Sequence, residues 1–497
     1  MNEYIFPFII SLTGYIIQIF PRLFNRKFGV DVWTRLLEIN LVRQNNHRIP
    51  KKIDKRFIIS GNFDYPPVFP FLLSFIPKNR LEKIQGFVAP IFDCLLGIVV
   101  YIFVFSLTGN IMASLLSQIA YILTPVTALE NSYLTPRSLG YFLMSVTLLL
   151  LLIFHTNYNY IYILFSIILT TILFLSHRFA MQSLIFGCLF FTILDQSIWY
   201  LMVLFSGFFG AVLLTKGYYI RVLEGHLANI RFWIVNGKYR FAHQIRGLVE
   251  AKKHTDFIGI IYLVLQKATP VALFGLNLWM IFPLGLLTFN LFNNSLTINP
   301  MMLKMSYWVL FYYLFSILVM SSKKLLPIGE GQRYLEMAAA PAAVTSGIIT
   351  YQFSAQFPFL YVLFITVSAV NLFLIALAQW KAVIKDVNRS VTPALDATFK
   401  FINSLPGIPR IICIPHQITT MTLYHTKADI LVNADNIGLM RLTNLYPILT
   451  KPIKDIAKQY NCNYLLLRTS FASIKELKLI NPKIIFQKED IFLIKLD

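Results

Sequence analysis

Long apolar stretches constrain this chain more than any other feature. A helix that crosses a bilayer needs roughly 20 apolar residues. Stretches meeting or approaching that length lie near 4–22, 84–107, 109–129, 138–154, 158–176, 184–214, 302–321, 335–355 and 357–380. Another, 256–292, is broken by Lys267 and Pro270 and reads as two short helices. The stretch 184–214 carries Asp195 midway, so it is one long helix or two short ones. Hydrophobic residues make up 57% of the 497 positions and charged residues 13%, about half the charged share of a soluble domain. So few charges could not cover the surface of a soluble chain this long, and so many apolar side chains exclude disorder. The expectation is a polytopic α-helical membrane protein with about 11 crossings, within about 10 to 13. The first stretch lacks a basic leader and a small-residue cleavage site, so it reads as a retained helix.

Lys and Arg total 44 against 23 Asp and Glu, a net charge of +21. The cations cluster between apolar spans, which points to a membrane surface or a phosphate-bearing lipid rather than nucleic acid. Cys94, Cys188, Cys413 and Cys462 are widely spaced and outside any CxxC or Cys/His cluster. Neither a disulfide framework nor a zinc site is indicated.

The expected transmembrane domain, 1–387, holds a polar, basic first outer loop over 23–83. Within it Val32, Leu36, Ile39 and Val42 have the spacing of an amphipathic helix. The stretch 68–76 opens after Pro66-Pro67 and closes at Pro77; it is too short to span and is expected along the interface. The segment 215–254 carries eight Lys/Arg and reads as a cytoplasmic interfacial helix pair. Counting spans from it puts 23–83 and the C-terminal segment on the outer side. Beyond 388, short strand patterns at Arg410–Ile414, 429–432, 463–467 and 483–486 alternate with helical patterns near 393–402, 437–446 and 453–460. That predicts a small soluble α/β domain over 388–497, long enough for its own core.

The most informative run is Gly61-Asn62-Phe63-Asp64-Tyr65-Pro66-Pro67. Proline fixes its own φ and restrains the residue before it, so Asp64 stands beside a stiff backbone where the loop returns to the membrane. A carboxylate held there can take a proton from an acceptor hydroxyl; alternatively it caps the short helix that follows. Asp31 is the second candidate, with the same alternative at the start of its own helix. Arg137, His177, Arg178 and Arg333 fall at expected outer helix ends, where they can contact a phosphate or snorkel as interface cations. Glu130, Glu330 and Glu336 can bind sugar hydroxyls or pair with these arginines. Asp93 and Asp195 fall inside apolar spans, where acids are costly and face the protein interior.

The layout resembles the GT-C glycosyltransferases: one helix, a long first outer loop with an early acid, many further spans, then an outer domain. Asp64-Tyr65-Pro66-Pro67 resembles the Asp-Tyr-Pro-Pro run of the dolichol-phosphate-glucose-dependent glucosyltransferases of N-glycan assembly. The stretch 29–37 (GVDVWTRLL) resembles the acidic start of the same loop, and 329–336 (GEGQRYLE) the Arg-Tyr segment before a late helix. The resemblance implies a glycosyltransferase moving one sugar from a polyprenyl-phosphate carrier to an acceptor hydroxyl at the outer face, with inversion. Asp64 or Asp31 would be the base, the four cations would hold the donor phosphate, and Tyr65, Glu130, Glu330, Tyr334 and Glu336 would contact sugar or acceptor. The loop has no DxD motif, so no metal or other cofactor is expected. Partners would be the lipid-linked donor, a glycan, lipid or protein acceptor, and membrane lipids. The rivals are an O-antigen-type polymerase or ligase, in which a late large loop is expected, and a transporter using Asp93 and Asp195. The absence of a convincing internal repeat counts against the transporter.

Overall fold

The computed structural model describes residues 2–130, 132–240, 242–247, 264, 268–292, 298–433 and 440–496. The chain divides into two compact units. A helical unit comprises Met1–Phe24, Gly86–Ile220 and Ile261–Ile384; a mixed unit comprises Asn25–Gln85, Arg221–Ile260 and Lys385–Asp497.

In the helical unit the apolar stretches become helices whose ends follow local chemistry. Among the described residues, five helices are long and apolar enough to cross a membrane: Ile5–Phe24, Lys78–Thr108, Arg137–Asn157, Pro300–Ser321 and Phe359–Ile384. Two bent pairs, Trp199–Leu214 with Tyr218–Tyr239 and Thr269–Leu276 with Leu278–Phe292, raise this to seven if each is one span. Pro300 opens its helix at a position where the missing N–H costs nothing, and Asn299 caps it by accepting from Met301 N at 2.8 Å. The stretch 184–214 resolves into two helices, Arg178–Leu194 and Trp199–Leu214, with Asp195 as the C-cap of the first. Similarly, 109–129 yields only Ile111–Ile122 before Pro125 starts a new short helix. Of 256–292, residues 256–263 and 265–267 lie outside the described residues; the remainder forms Thr269–Leu276 and Ile281–Phe292. Helices cross closely where side chains are small: Ser117 donates to Val344 O at 3.2 Å between Ile111–Ile122 and Ala339–Phe353.

The mixed unit is built on a five-stranded sheet: β1 (Arg410–Ile414), β2 (Asp429–Ile430), β3 (Tyr464–Arg468), β4 (Lys483–Lys488) and β5 (Ile491–Lys495). The order is β2-β1-β3-β5-β4, with β1 parallel to β2 and β3, and β5 antiparallel to β3 and β4. Parallel strands are covered on both faces and read as continuous apolar runs, as in the buried Ile411–Ile414 stretch of β1. The helices Thr419–His425 and Ile453–Gln459 make the crossovers. The strand β5 and the helix Thr419–His425 were not anticipated. The helix expected near 437–446 lies partly outside the described residues, and 441–446 is turn and irregular backbone.

Two further segments complete this unit, and both correct the expected layout. The first loop pairs its backbone with the open edge of β2: Ile430 N donates to Arg56 O, Ile58 N to Ile430 O and Ile59 N to Leu431 O, each at 2.9 Å. Ile58 and Ile59 pack on the same core as Ile412, Leu465 and Ile494. The basic segment joins the same domain. Gln244 Nε2 donates to Leu445 O at 3.0 Å, Arg246 pairs with Glu476 at 2.6 Å, and Phe232 stacks on Tyr446 at 5.8 Å. From Arg221 on, the described part of 215–254, expected on the opposite side from 388–497, instead belongs with it to one compact unit. Its cations serve partly as docking groups, which a charge count cannot tell from a topological signal. Lys252 and Lys253 lie outside the described residues. The helix Asp31–Gln44 also departs from expectation, because Val32–Ile39 and Val42 are all buried. It is enclosed, not laid along a surface.

Candidate active site

The mixed unit places Asp64 by a hairpin. Ile53 N donates to Gly61 O and Phe63 N to Lys51 O, both at 3.1 Å, so Asp64 follows directly from the last paired residue. The tip of the hairpin is tied down by Arg56. Its Nη1 donates to Leu423 O at 3.1 Å and Thr426 O at 2.8 Å, capping the carbonyl end of Thr419–His425, and its Nη2 pairs with Asp54 at 3.2 Å. Phe63 and Phe69, each 1% exposed, anchor the backbone on either side. Asp64 itself is buried, at 6% exposure. It is not the cap of the following helix Val68–Ser74, whose cap position is Pro67 without a side-chain bond.

Asp31 contrasts with it: it is exposed, in the first turn of Asp31–Gln44 behind Val30. The interior of that helix holds a pair the sequence reading passed over. Arg35 and Glu38 are both buried and meet at 2.5 Å, and the Arg35 guanidinium lies 3.6 Å over the Tyr65 ring. Tyr65 is thus held by a cation, as an aromatic face permits. The (i, i+3) spacing of Arg35 and Glu38 was the available signal. Arg43 fixes the other end of the loop by donating to Ser74 O, in the last residue of the short helix, at 3.0 Å and to Ile76 O just beyond it.

The helical unit brings together residues nearly 200 positions apart. Arg137 lies 3.5 Å from Glu336, with side chains 8% and 0% exposed. His177 packs against Gly140 one turn into the Arg137 helix, and caps Arg178–Leu194 by accepting from Ala180 N at 3.2 Å. Arg137, His177 and Arg178 thus start neighbouring helices at one end of the unit. The 329–336 segment is locked in place. A Cβ on Gly331 would stand 2.3 Å from Ser316 O, so only glycine fits. Arg333, 38% exposed, pairs with Glu330 at 3.4 Å, and Gln332 donates to Glu330 at 2.8 Å.

Tyr334, expected at sugar or acceptor, is instead fully buried. Its hydroxyl donates to Ile328 O at 3.0 Å and accepts from Gln182 at 2.6 Å, so it braces the segment. Of Glu130 the helix Pro125–Glu130 is described, but its side chain lies outside the described set. Asp93 accepts from Tyr121 at 3.2 Å, and Asp195 binds Lys304 at 2.8 Å and Tyr200 at 2.5 Å. Both acids are engaged in packing between helices. Among the described residues no group of three or more His, Cys, Asp or Glu is gathered as metal ligands.

No protein-family model matches the chain, and no curated protein matches it by sequence. Solved structures do match. The archaeal oligosaccharyltransferase AglB from Archaeoglobus fulgidus, in complex with an inhibitory peptide and a dolichol-phosphate, aligns with a TM-score of 0.57 and 10% identity over 100% of this chain and 74% of that one. The same organism's oligosaccharyltransferase in complex with Zn and sulfate gives 0.58 and 11% over 92% and 67%. ArnT from Cupriavidus metallidurans, bound to undecaprenyl phosphate, gives 0.55 and 10% over 98% and 97%. These are GT-C glycosyltransferases. At such identity the likeness is one of architecture, and the chain has the GT-C fold.

Proposed function

We propose that the protein is a GT-C-type glycosyltransferase that moves a single sugar from a polyprenyl-phosphate carrier to an acceptor hydroxyl at the outer membrane face. The observation that carries this reading is the buried Asp64, delivered by a clamped hairpin in a chain with the GT-C fold. The dolichol-phosphate and undecaprenyl phosphate held by the neighbours support a lipid-linked donor. Asp64 takes the acceptor hydroxyl proton as the oxygen attacks the sugar's anomeric carbon. The bond from that carbon to the phosphate oxygen breaks, its electrons leave on the phosphate, and the configuration inverts. Arg137, His177, Arg178 and Arg333 are assigned to the departing phosphate, whose charge guanidinium groups stabilise through paired N–H donors. Glu330 and Tyr65 are left as sugar or acceptor contacts, and Asp31 as an acceptor contact.

The reaction in this reading needs no metal, so chelation with EDTA should leave transfer unchanged. Unit charge does not argue for the cytoplasmic face, because the positive-inside rule counts short loops whereas long loops and folded domains cross largely regardless of charge. The decisive test is Asp64→Asn in purified protein, with donor binding measured beside turnover. The variant should fold and bind donor, yet transfer about 100-fold more slowly, the scale of a lost general base. Asp31→Asn should be milder. Normal turnover in both would overturn the mechanism.

A further inference from the structure

The charge is divided unevenly between the units. The mixed unit carries 34 Lys/Arg against 17 Asp/Glu, and the helical unit 10 against 6. Of the net +21, the mixed unit therefore holds +17. The densest part is the hairpin that delivers Asp64: Arg48, Lys51, Lys52, Lys55 and Arg56 stand within 48–56, with Asp54 the one carboxylate there. Arg56 already uses Asp54. Lys51, Lys52 and Lys55 are exposed, and among the described residues no carboxylate pairs with them.

Register sets Lys51 and Lys52 nearest the candidate base, with Lys55 farther along toward the tip. Lys52 stands opposite Asn62 across the hairpin, and Asn62 is two residues before Asp64. Strand geometry puts that step at roughly 7 Å along the chain. The hairpin's fold does not require the lysines, since its backbone bonds and the Arg56 clamp hold it. Clustered like charges instead repel and destabilise the compact state. A lipid surface is the poorer match for this strip. Interfacial segments mix cations with apolar side chains, whereas the exposed hairpin residues, Lys51, Lys52, Lys55, Ser60 and Asn62, are all polar. The exposed apolar side chains of the loop, Phe71, Leu72 and Phe75, lie beyond the hairpin on the helix Val68–Ser74 and just after it.

We propose that the acceptor is an anionic glycan, bearing phosphate or carboxylate groups, and that Lys51, Lys52 and Lys55 guide its hydroxyl to Asp64. The proposal rests on the reading of Asp64 as the acceptor's base. The lysines raise the local concentration of a negatively charged chain and orient it, an effect that falls as salt screens it.

The test uses the full chain in nanodiscs of phosphatidylcholine and two probes, a phosphorylated oligomannoside and the same glycan after phosphatase treatment. The phosphorylated probe should bind at least about tenfold more tightly at about 50 mM salt, and the preference should collapse by about 500 mM. Lys51→Gln, Lys52→Gln and Lys55→Gln together should remove most of the preference, while the same three positions changed to Arg should keep it. Asp64→Asn should bind both probes as the parent does, which separates acceptor capture from proton transfer. Equal binding of both probes by the parent overturns the proposal, as does a triple Gln variant that keeps the preference. So does a triple Gln variant that loses only adsorption to vesicles of about 30% phosphatidylglycerol, which would make the strip a membrane contact. If Asp64→Asn transfers sugar normally while charge selectivity persists, the base assignment falls and the acceptor class stands.

Discussion

Asp64 and Asp31 are both acids of the first loop, and their surroundings differ in ways chemistry can read. A carboxylate enclosed beside stiff backbone keeps one direction and little water; one in an exposed first helical turn keeps neither. The same reasoning applies to Arg137 and Glu336, which meet inside the helical unit. Removing one partner of a buried pair strands the other, at a cost of roughly 3–5 kcal/mol. Arg137→Ala should therefore lower stability and raise the donor KM together. Adding Glu336→Gln should recover most of the stability, seen by thermal unfolding, but not the donor KM. If the double variant recovers both, Arg137 serves only to neutralise Glu336. His425 offers a pH test. Burial, with Lys27 and Lys78 adding, pulls its pKa from 6.5 down to about 4, against the opposing pull of Glu82 and Asp396. The folded chain thus binds the proton less readily than the unfolded one. Its contribution is complete above pH 6.5 and is lost as pH falls from there through about 4. The loss should be on the order of 3 kcal/mol. The ring lies 4.5 Å from Trp33 and 5.4 Å from Phe399, so His425→Phe should fold and flatten the acid dependence of the melting temperature. An unchanged slope would place the acid sensitivity elsewhere.

At the scale of elements, the hairpin and its clamp explain why an early loop can hold a reacting group accurately. Arg56 satisfies two helix-end carbonyls that otherwise lack partners, and Ile58 and Ile59 bury against the sheet's core. Arg56→Ala should loosen the hairpin without unfolding the sheet. The expected result is a fall in kcat of about tenfold with donor KM unchanged, together with faster amide exchange at Ile58 and Ile59. Exchange at β1 and β3 should stay slow. Fast exchange throughout the unit would mean that Arg56 supports the whole fold rather than the hairpin's position. Helices with strong apolar periodicity were legible from sequence: Arg137–Asn157 and Pro300–Ser321 lie within three residues of the expected ends. The backbone pairing at 56–59 was not, because it is short and joins β2, more than 370 residues away. No local pattern announces a bond made at that distance. The enclosed helix Asp31–Gln44 misled for a related reason: its polar residues Thr34, Arg35 and Glu38 mimic a wet face but are satisfied inside.

For the whole molecule, the sequence shows the fold class through what lipid demands, since apolar stretches of that number have nowhere else to go. It hides sidedness, because a cation that docks a segment and a cation that marks the cytoplasm look alike in a count. Arg246 illustrates this: it sits in a strongly basic segment and is spent on Glu476. Sidedness is therefore the property of the whole chain to measure. In a background lacking the four native cysteines, single cysteines at Ser60, Val235 and Ile480 would sample the three parts of the mixed unit at exposed positions. A membrane-impermeant thiol reagent applied to intact cells should label all three, and permeabilisation should add little. Gln196, in the exposed turn between Arg178–Leu194 and Trp199–Leu214, serves as an independent reporter of the opposite outcome for a short loop. Reaction of Ser60 and Ile480 but not Val235 would contradict the packing of the basic segment on the C-terminal sheet. Protection of all three until permeabilisation would keep that packing and move the reaction to the cytoplasmic face, where the sugar donor would have to be presented from inside.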